Sequence, residues 1–252
     1  MRKGQATVFI ALAILLALVF VLVYQFRYDL IGKARSAELL GTLTMPPEFN
    51  EIRSDIQQCI DHEAGEALAL VGLQGGYIDL EDRPKTQWLG FNVSYLYYND
   101  AAIAPSIQSI EDELSSHIAY SVLENCRMRH LGFNVTYSNV ARVGADVEGR
   151  NVLVRMSWDI EVSKGGVERK FRDFSSSFEV RLAELASLAE EIANTYAERP
   201  DSLCMSCLID AAKDRELTME LIARQDDLIF IINDPHSRID DEYWRYVFAF
   251  KL

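Results

Sequence analysis

The stretch Asn151-Val152-Leu153-Val154-Arg155-Met156-Ser157-Trp158-Asp159-Ile160-Glu161-Val162-Ser163-Lys164, followed by Gly165-Gly166, decides the fold class. Val152, Val154, Met156, Trp158, Ile160 and Val162 alternate with Leu153, Arg155, Ser157, Asp159, Glu161 and Ser163. Side chains of a strand point to opposite faces in turn, so this period of two describes a long strand with one buried face. The glycine pair turns the chain, and residues 167–181 return as a second long strand. Its apolar phase changes between Phe171 and Phe174, which signals a bulge. Residues 133–137 and 141–147 read as partners in the same antiparallel sheet.

Outward from this sheet the apolar spacing turns helical. Ile52, Ile56, Cys59, Ile60, Ala67, Leu68 and Val71 mark an amphipathic helix over 49–71. Gly72 and Gly75-Gly76 stop it. Ile107, Ile110, Leu114, Ile118, Val122 and Cys126 mark a second helix over about 106–130, with Ser106 as its N-cap after Pro105. Leu182, Leu185, Ala189, Ile192 and Tyr196 mark a third over 182–197. Residues 77–80 and 88–98 read as extended and rich in aromatic side chains. Residues 203–212 are a short cysteine-bearing stretch. Residues 228–232, a turn through Asn233-Asp234-Pro235, and residues 243–250 read as a closing hairpin. Runs of strands beside separate helices give an α+β fold: an antiparallel sheet packed with three amphipathic helices.

The chain has 252 residues, with 25 Lys and Arg against 38 Asp and Glu, a formal charge of −13. Hydrophobic residues make up 49% and charged residues 25%, a globular balance that excludes a wholly disordered chain, and the negative charge argues against a nucleic-acid partner, which needs a cationic footprint. The charge is unevenly placed. Residues 1–27 carry Arg2, Lys3 and Arg27 and no acid, leaving 22 bases and 38 acids beyond them. Between Lys3 and Arg27 lie 23 uncharged residues, 4–26, and 8–23 contain no polar residue. As a helix this run would span roughly 34 Å, enough for a hydrocarbon core of about 30 Å. It is longer than a signal-peptide core and lacks a small-x-small cleavage site, so it reads as a retained transmembrane helix. The expected organisation is therefore a cationic tail and anchor (1–27), a juxtamembrane linker (28–50) ending in Met45-Pro46-Pro47, and an exported α+β domain (51–252). Within that domain, 200–252 hold the cysteine-bearing stretch and hairpin. The membrane is the expected partner of residues 4–26, with the tail inside and the domain extracytoplasmic.

Arg2-Lys3-Gly4-Gln5-Ala6-Thr7, directly before the apolar run, resembles an archaeal class III signal sequence, the N-terminus of type IV pilin-like proteins. The resemblance implies cleavage between Gly4 and Gln5 by a prepilin-type peptidase, with the apolar segment retained. Pilins usually carry Glu at the fifth mature position, where it helps subunits join a filament; here that position is Phe9. Three further stretches are similar to an uncharacterised membrane-anchored group from small-genome archaea. They are Cys59 with Gly72-Leu73-Gln74-Gly75-Gly76-Tyr77-Ile78, Pro105-Ser106-Ile107, and the ending Tyr246-Val247-Phe248-Ala249-Phe250. No activity is established for that group, so the likeness implies architecture and location alone.

Four cysteines, an even number, suggest disulfides in an exported domain. Cys59 and Cys126 each occupy the apolar register of a helix, and a bond between them would staple those helices; two buried free thiols are the alternative. Cys204-Met205-Ser206-Cys207 is a CxxC. A thioredoxin-like site needs a strand before the motif and a helix after it in a βαβ setting, and this motif follows a proline-ended helix. A local disulfide is the expectation. None of His62, His117, His130 and His236 is near Cys204 in sequence; a spatial cluster such as Cys59, His62 and Cys126 is the metal-site alternative to lone surface or core histidines. GxSxG, HExxH and GxxxxGK[ST] are all missing. Asp226-Asp227 and Asp240-Asp241-Glu242 read as solvated turns rather than calcium ligands. Asn92-Val93-Ser94 and Asn134-Val135-Thr136 are glycosylation sequons that must face outward to be used. No catalytic, cofactor or metal residue is expected. The function read from these features is a membrane-anchored envelope or cell-surface protein that binds a partner protein or contributes to an assembly. Trp88, Phe91, Tyr95, Tyr97 and Tyr98 are either a binding face or divided between core and sheet surface. A pilin-like filament subunit and an extracytoplasmic enzyme with a scattered site are the alternatives.

Overall fold

The computed structural model describes residues 47–200, 203–239 and 242–252. The chain divides into two compact units, 1–51 and 52–252. Of the first, only the opening turn of helix α1 (Pro47–Leu73) is described. The second unit is α+β. Its small sheet is β4 (Asn134–Glu148), β5 (Asn151–Lys164) and β6 (Val167–Phe178), antiparallel throughout. The alternation in β5 is realised residue by residue: Val152, Val154, Met156, Trp158, Ile160 and Val162 are all buried. The β5–β6 register shifts between Ser157 and Ile160, opposite the phase change from Phe171 to Phe174. Helix α2 (Ile107–Asn125) covers the β4 edge. Ser115 Oγ accepts from Ala145 N at 2.9 Å and Glu111 Oε1 from Val147 N at 2.8 Å, so helix side chains satisfy amides that an open edge would leave bare.

The larger sheet runs β1 (Lys85–Trp88), β2 (Phe91–Tyr98), β9 (Glu242–Lys251), β8 (Asp227–Ile239) and β7 (Thr218–Arg224), with β3 (Ala101–Ala102) beside β2. The expectation of one antiparallel sheet is corrected here. There are two sheets, and β9 enters the larger one parallel to β2, pairing Tyr95 with Ala249 and Tyr97 with Phe250. The physical reason is burial on both faces: Tyr246, Val247, Phe248, Ala249 and Phe250 are each fully buried, which suits a central strand and not the arm of an edge hairpin. The β8–β9 turn is also not at Asn233-Asp234-Pro235. That triplet is a bulge between Asn233 and Arg238, after which pairing resumes at Arg238–Tyr243.

The sheet curls until its outer strands approach. Arg224 Nη1 on β7 donates to Gln87 O on β1 at 3.2 Å, and Thr86 Oγ1 donates to Asp227 Oδ2 at 2.8 Å. The enclosed cluster is Val93, Tyr95, Ile229, Ile231, Val247 and Ala249, flanked by Leu73, Trp88 and Tyr98. Helix α3 (Leu182–Glu198) packs on β2, β3 and β9, with Tyr196 edge-on to Tyr97 at 4.8 Å and 5.2 Å from Phe250. Helix α1 touches both sheets: Gln57 Nε2 donates to Ser175 O at 3.1 Å, and Leu68 O accepts from Trp244 Nε1 at 3.2 Å. The described helices number four, not three, because 203–212 include α4 (Met205–Lys213).

No helix among the described residues is long and apolar enough to cross a membrane. The transmembrane helix expected over 4–26, the cleavage position Gly4/Gln5 and residues 28–46 of the linker expected over 28–50 lie outside the described residues, while residues 47–50 belong to α1.

Candidate functional site

The four cysteines form two bonds. Cys59 in α1 joins Cys126, the C-cap of α2, with Cα atoms 5.7 Å apart. The pair is 67 residues apart in sequence, and closing a loop of that size stabilises by about 4 kcal/mol in the chain-entropy model. Glu63 shares this spot, its carboxylate within 4.8 Å of both sulfurs and accepting from Asn125 Nδ2 at 3.1 Å. With the sulfurs bonded to each other there are no thiolates to ligate a metal. His62 is exposed and does not complete the set. The second bond, Cys204–Cys207, spans three positions at the start of α4 and is exposed at both ends.

The glycine stop after α1 is closely packed. Gly75 (φ +70°) and Gly76 (φ +92°) turn the chain, and Cβ atoms there would meet Ser94 Oγ and Tyr246 Oη at 2.5 Å. Gly72 is tighter: its Cβ would lie 2.4 Å from Arg245 O. The Tyr246 hydroxyl is buried and lacks a hydrogen-bond partner among the described residues, and burial pushes its pKa far up.

The carboxylates at Asp226-Asp227 are not a calcium cradle. Asp227 accepts from Thr86, from Tyr95 Oη at 2.7 Å and from Lys251 Nζ at 3.2 Å. Burial alone would raise its carboxyl, but Tyr95, Thr86 and Lys251 together hold it below the usual range. Asp240 and Asp241 lie outside the described residues.

A group missed in the sequence sits at the β8 bulge. Asp234 is fully buried and accepts four hydrogen bonds: from Arg181 Nε at 2.9 Å, from Arg181 Nη2, from Ser237 Oγ and from His236 N at 2.9 Å. Arg181 precedes α3 and also reaches Arg215 O at 2.9 Å and Glu184 at 3.2 Å. Burial would raise the Asp234 carboxyl, yet Arg181, Ser237 and the His236 amide hold it low. A cleft of about 390 Å³ opens beside it, lined by Arg150, Glu179, Glu216, His236 and Ser237. His236 Nε2 lies 3.1 Å from Glu216, but Ser237 Oγ is fixed by Asp234 and by the Arg181 amide at 3.0 Å. Its hydroxyl donates to Asp234, a carboxylate whose basicity Arg181 and the His236 amide hold low. Arg181 thus lines the cleft while paired with Asp234.

The aromatic segment divides. Tyr95 and Tyr97 are buried, Trp88 and Tyr98 half-buried, and Phe91 exposed. Between β1 and β2 the turn is Leu89 (φ +49°) and Gly90 (φ +90°), and Leu89 is 76% exposed. A leucine in the left-handed region is uncommon, and its strain is on the order of 1 kcal/mol. The turn thus places a strained apolar side chain in water beside Phe91. The hairpin beneath is fixed through Asp227 and Arg224. Of the sequons, Asn134-Val135-Thr136 has both Asn134 and Thr136 exposed. In Asn92-Val93-Ser94 the asparagine is exposed, but Ser94 is buried and donates to Gln74 O at 2.7 Å.

No protein-family model, curated protein or solved structure matches the chain.

Proposed function

We propose that this is an exported envelope protein, tethered through the apolar run 4–26, that binds a partner protein with the tip of the β1–β2 hairpin. The carrying observation is Leu89. Turns of two left-handed residues favour Asn or Asp before Gly, so leucine here sacrifices stability to present an apolar group. Leu89 and Phe91 form a small apolar prow on an acidic body, on a hairpin anchored to the far strand. Apolar anchors entering a partner's pocket are what dominate protein interfaces. Two disulfides support an oxidising compartment, as does the class III-like N-terminus. Phe9 in place of the pilin glutamate favours a tethered protein over a filament subunit.

A photo-activatable residue at position 89, compared with one at exposed Val167 on the other sheet, tests this in the protein's own membrane. One discrete protein adduct from 89 and not from 167 is expected. Equal labelling from both positions, no adduct, or lipid adducts from 89 would overturn the partner-protein reading.

A further inference from the structure

The two disulfides do different work. Cys59–Cys126 joins two packed helices, with Cys126 fully buried. Cys204–Cys207 closes three positions within one helical turn, where hydrogen bonding already fixes the backbone. It ties no second element to α4, and both cysteines are exposed. We propose that Cys204–Cys207 is a thiol–disulfide exchange site that takes electrons from the dithiol of an exported partner.

Local geometry favours Cys204 as the sulfur that carries charge. It is the N-cap of the nine-residue α4, and its Sγ accepts from Cys207 N at 3.3 Å. Ser206 Oγ lies 3.6 Å from the same sulfur. A thiolate at a helix N-terminus faces unpaired amides and the positive end of the helix dipole, which favours the charged form. Met205 is 40% exposed and Ile209 53% exposed, giving an incoming polypeptide an apolar surface beside the sulfurs. The setting that the CxxC lacks at the level of chain order, a strand before it, is not what this chemistry requires. It requires an accessible sulfur pair and one stabilised thiolate.

The exchange balances within the two partners. A partner thiolate attacks Cys204 Sγ; the bond to Cys207 breaks, and Cys207 leaves with the electron pair and takes a proton. The partner's second thiolate then attacks the partner sulfur of the mixed disulfide. Cys204 leaves as a thiolate held by the Cys207 N–H. The partner ends oxidised to a disulfide and the CxxC ends as a dithiol, with two electrons transferred.

The full chain is equilibrated across ratios of reduced to oxidised glutathione, alkylated and mapped by mass spectrometry. Cys204–Cys207 is expected to open at a more oxidising ratio than Cys59–Cys126. In the reduced protein at pH 6, iodoacetamide is expected to modify Cys204 at least about threefold faster than Cys207. Cys207→Ser is expected to form a glutathione adduct at Cys204 faster than Cys204→Ser forms one at Cys207. Coincident opening of the two bonds, or equal reactivity of Cys204 and Cys207, would overturn the proposal.

Discussion

Replacing Asp234 with leucine strips four hydrogen bonds from one fully buried carboxylate and leaves the Arg181 guanidinium, 6% exposed, without its counter-charge. Breaking a buried pair from one side costs about 3–5 kcal/mol, because the surviving charge stays desolvated. Glu184 and Arg215 O remain as acceptors for Arg181, so the lower half of that range is expected. A domain of this size is stable by about 5–15 kcal/mol, so the loss is large but leaves a folded protein. Arg181→Met exposes the reciprocal defect. The double variant, with both charges gone, should cost less than the sum of the singles by about 2 kcal/mol or more. Urea denaturation of the three variants at pH 7 measures all of this. The pH dependence gives an independent reading. Asp234 titrates lower in the folded chain than unfolded, so its stabilisation is complete above the unfolded carboxyl range and fades as pH falls through the folded value. The wild-type curve should therefore fall below about pH 4, and the Asp234→Leu curve should fall less steeply. Additive single variants, or a loss under 1 kcal/mol, would refute the view that this pair fixes the bulge to α3.

Four other perturbations have definite outcomes. Cys59→Ser with Cys126→Ser should lower unfolding free energy by about 4 kcal/mol, and Cys204→Ser with Cys207→Ser by clearly less, both read by urea denaturation. Gly72→Ala drives a methyl group into Arg245 O and the Trp244 ring, so thermal melting should show a loss of about 1–3 kcal/mol or more. Tyr246→Phe removes a buried hydroxyl with no partner among the described residues, so its melting temperature should match or exceed the wild type; a loss above 1 kcal/mol would contradict the unsatisfied state.

What could be read from the sequence was local. The alternation of β5 and the turn at Gly165-Gly166 depend on neighbours in the chain, and the structure places them as the pattern requires. The three longer helices follow from apolar spacing for the same reason. Strand partners are chosen by long-range burial, and no local pattern near Tyr246 or Phe250 names β2 and β8 as the neighbours of β9. The run of consecutive apolar residues there was the available signal, since a two-sided strand is apolar on both faces. Asn233-Asp234-Pro235 has turn chemistry, and it forms a bulge because Asp234 has Arg181, 53 positions away, as its partner. The aromatic segment could be assigned to core and surface only once the sheet curled. Leu89 escaped notice because left-handed backbone at a leucine is invisible in composition.

The most direct test of the account is Leu89→Asn, measured at once for stability and for affinity toward the protein cross-linked from position 89. Asparagine fits the left-handed turn, so unfolding free energy should rise by up to about 1 kcal/mol. Loss of the apolar anchor should weaken partner binding about tenfold or more. A variant that binds as tightly as the wild type would contradict the hairpin tip as the docking element, whatever its stability.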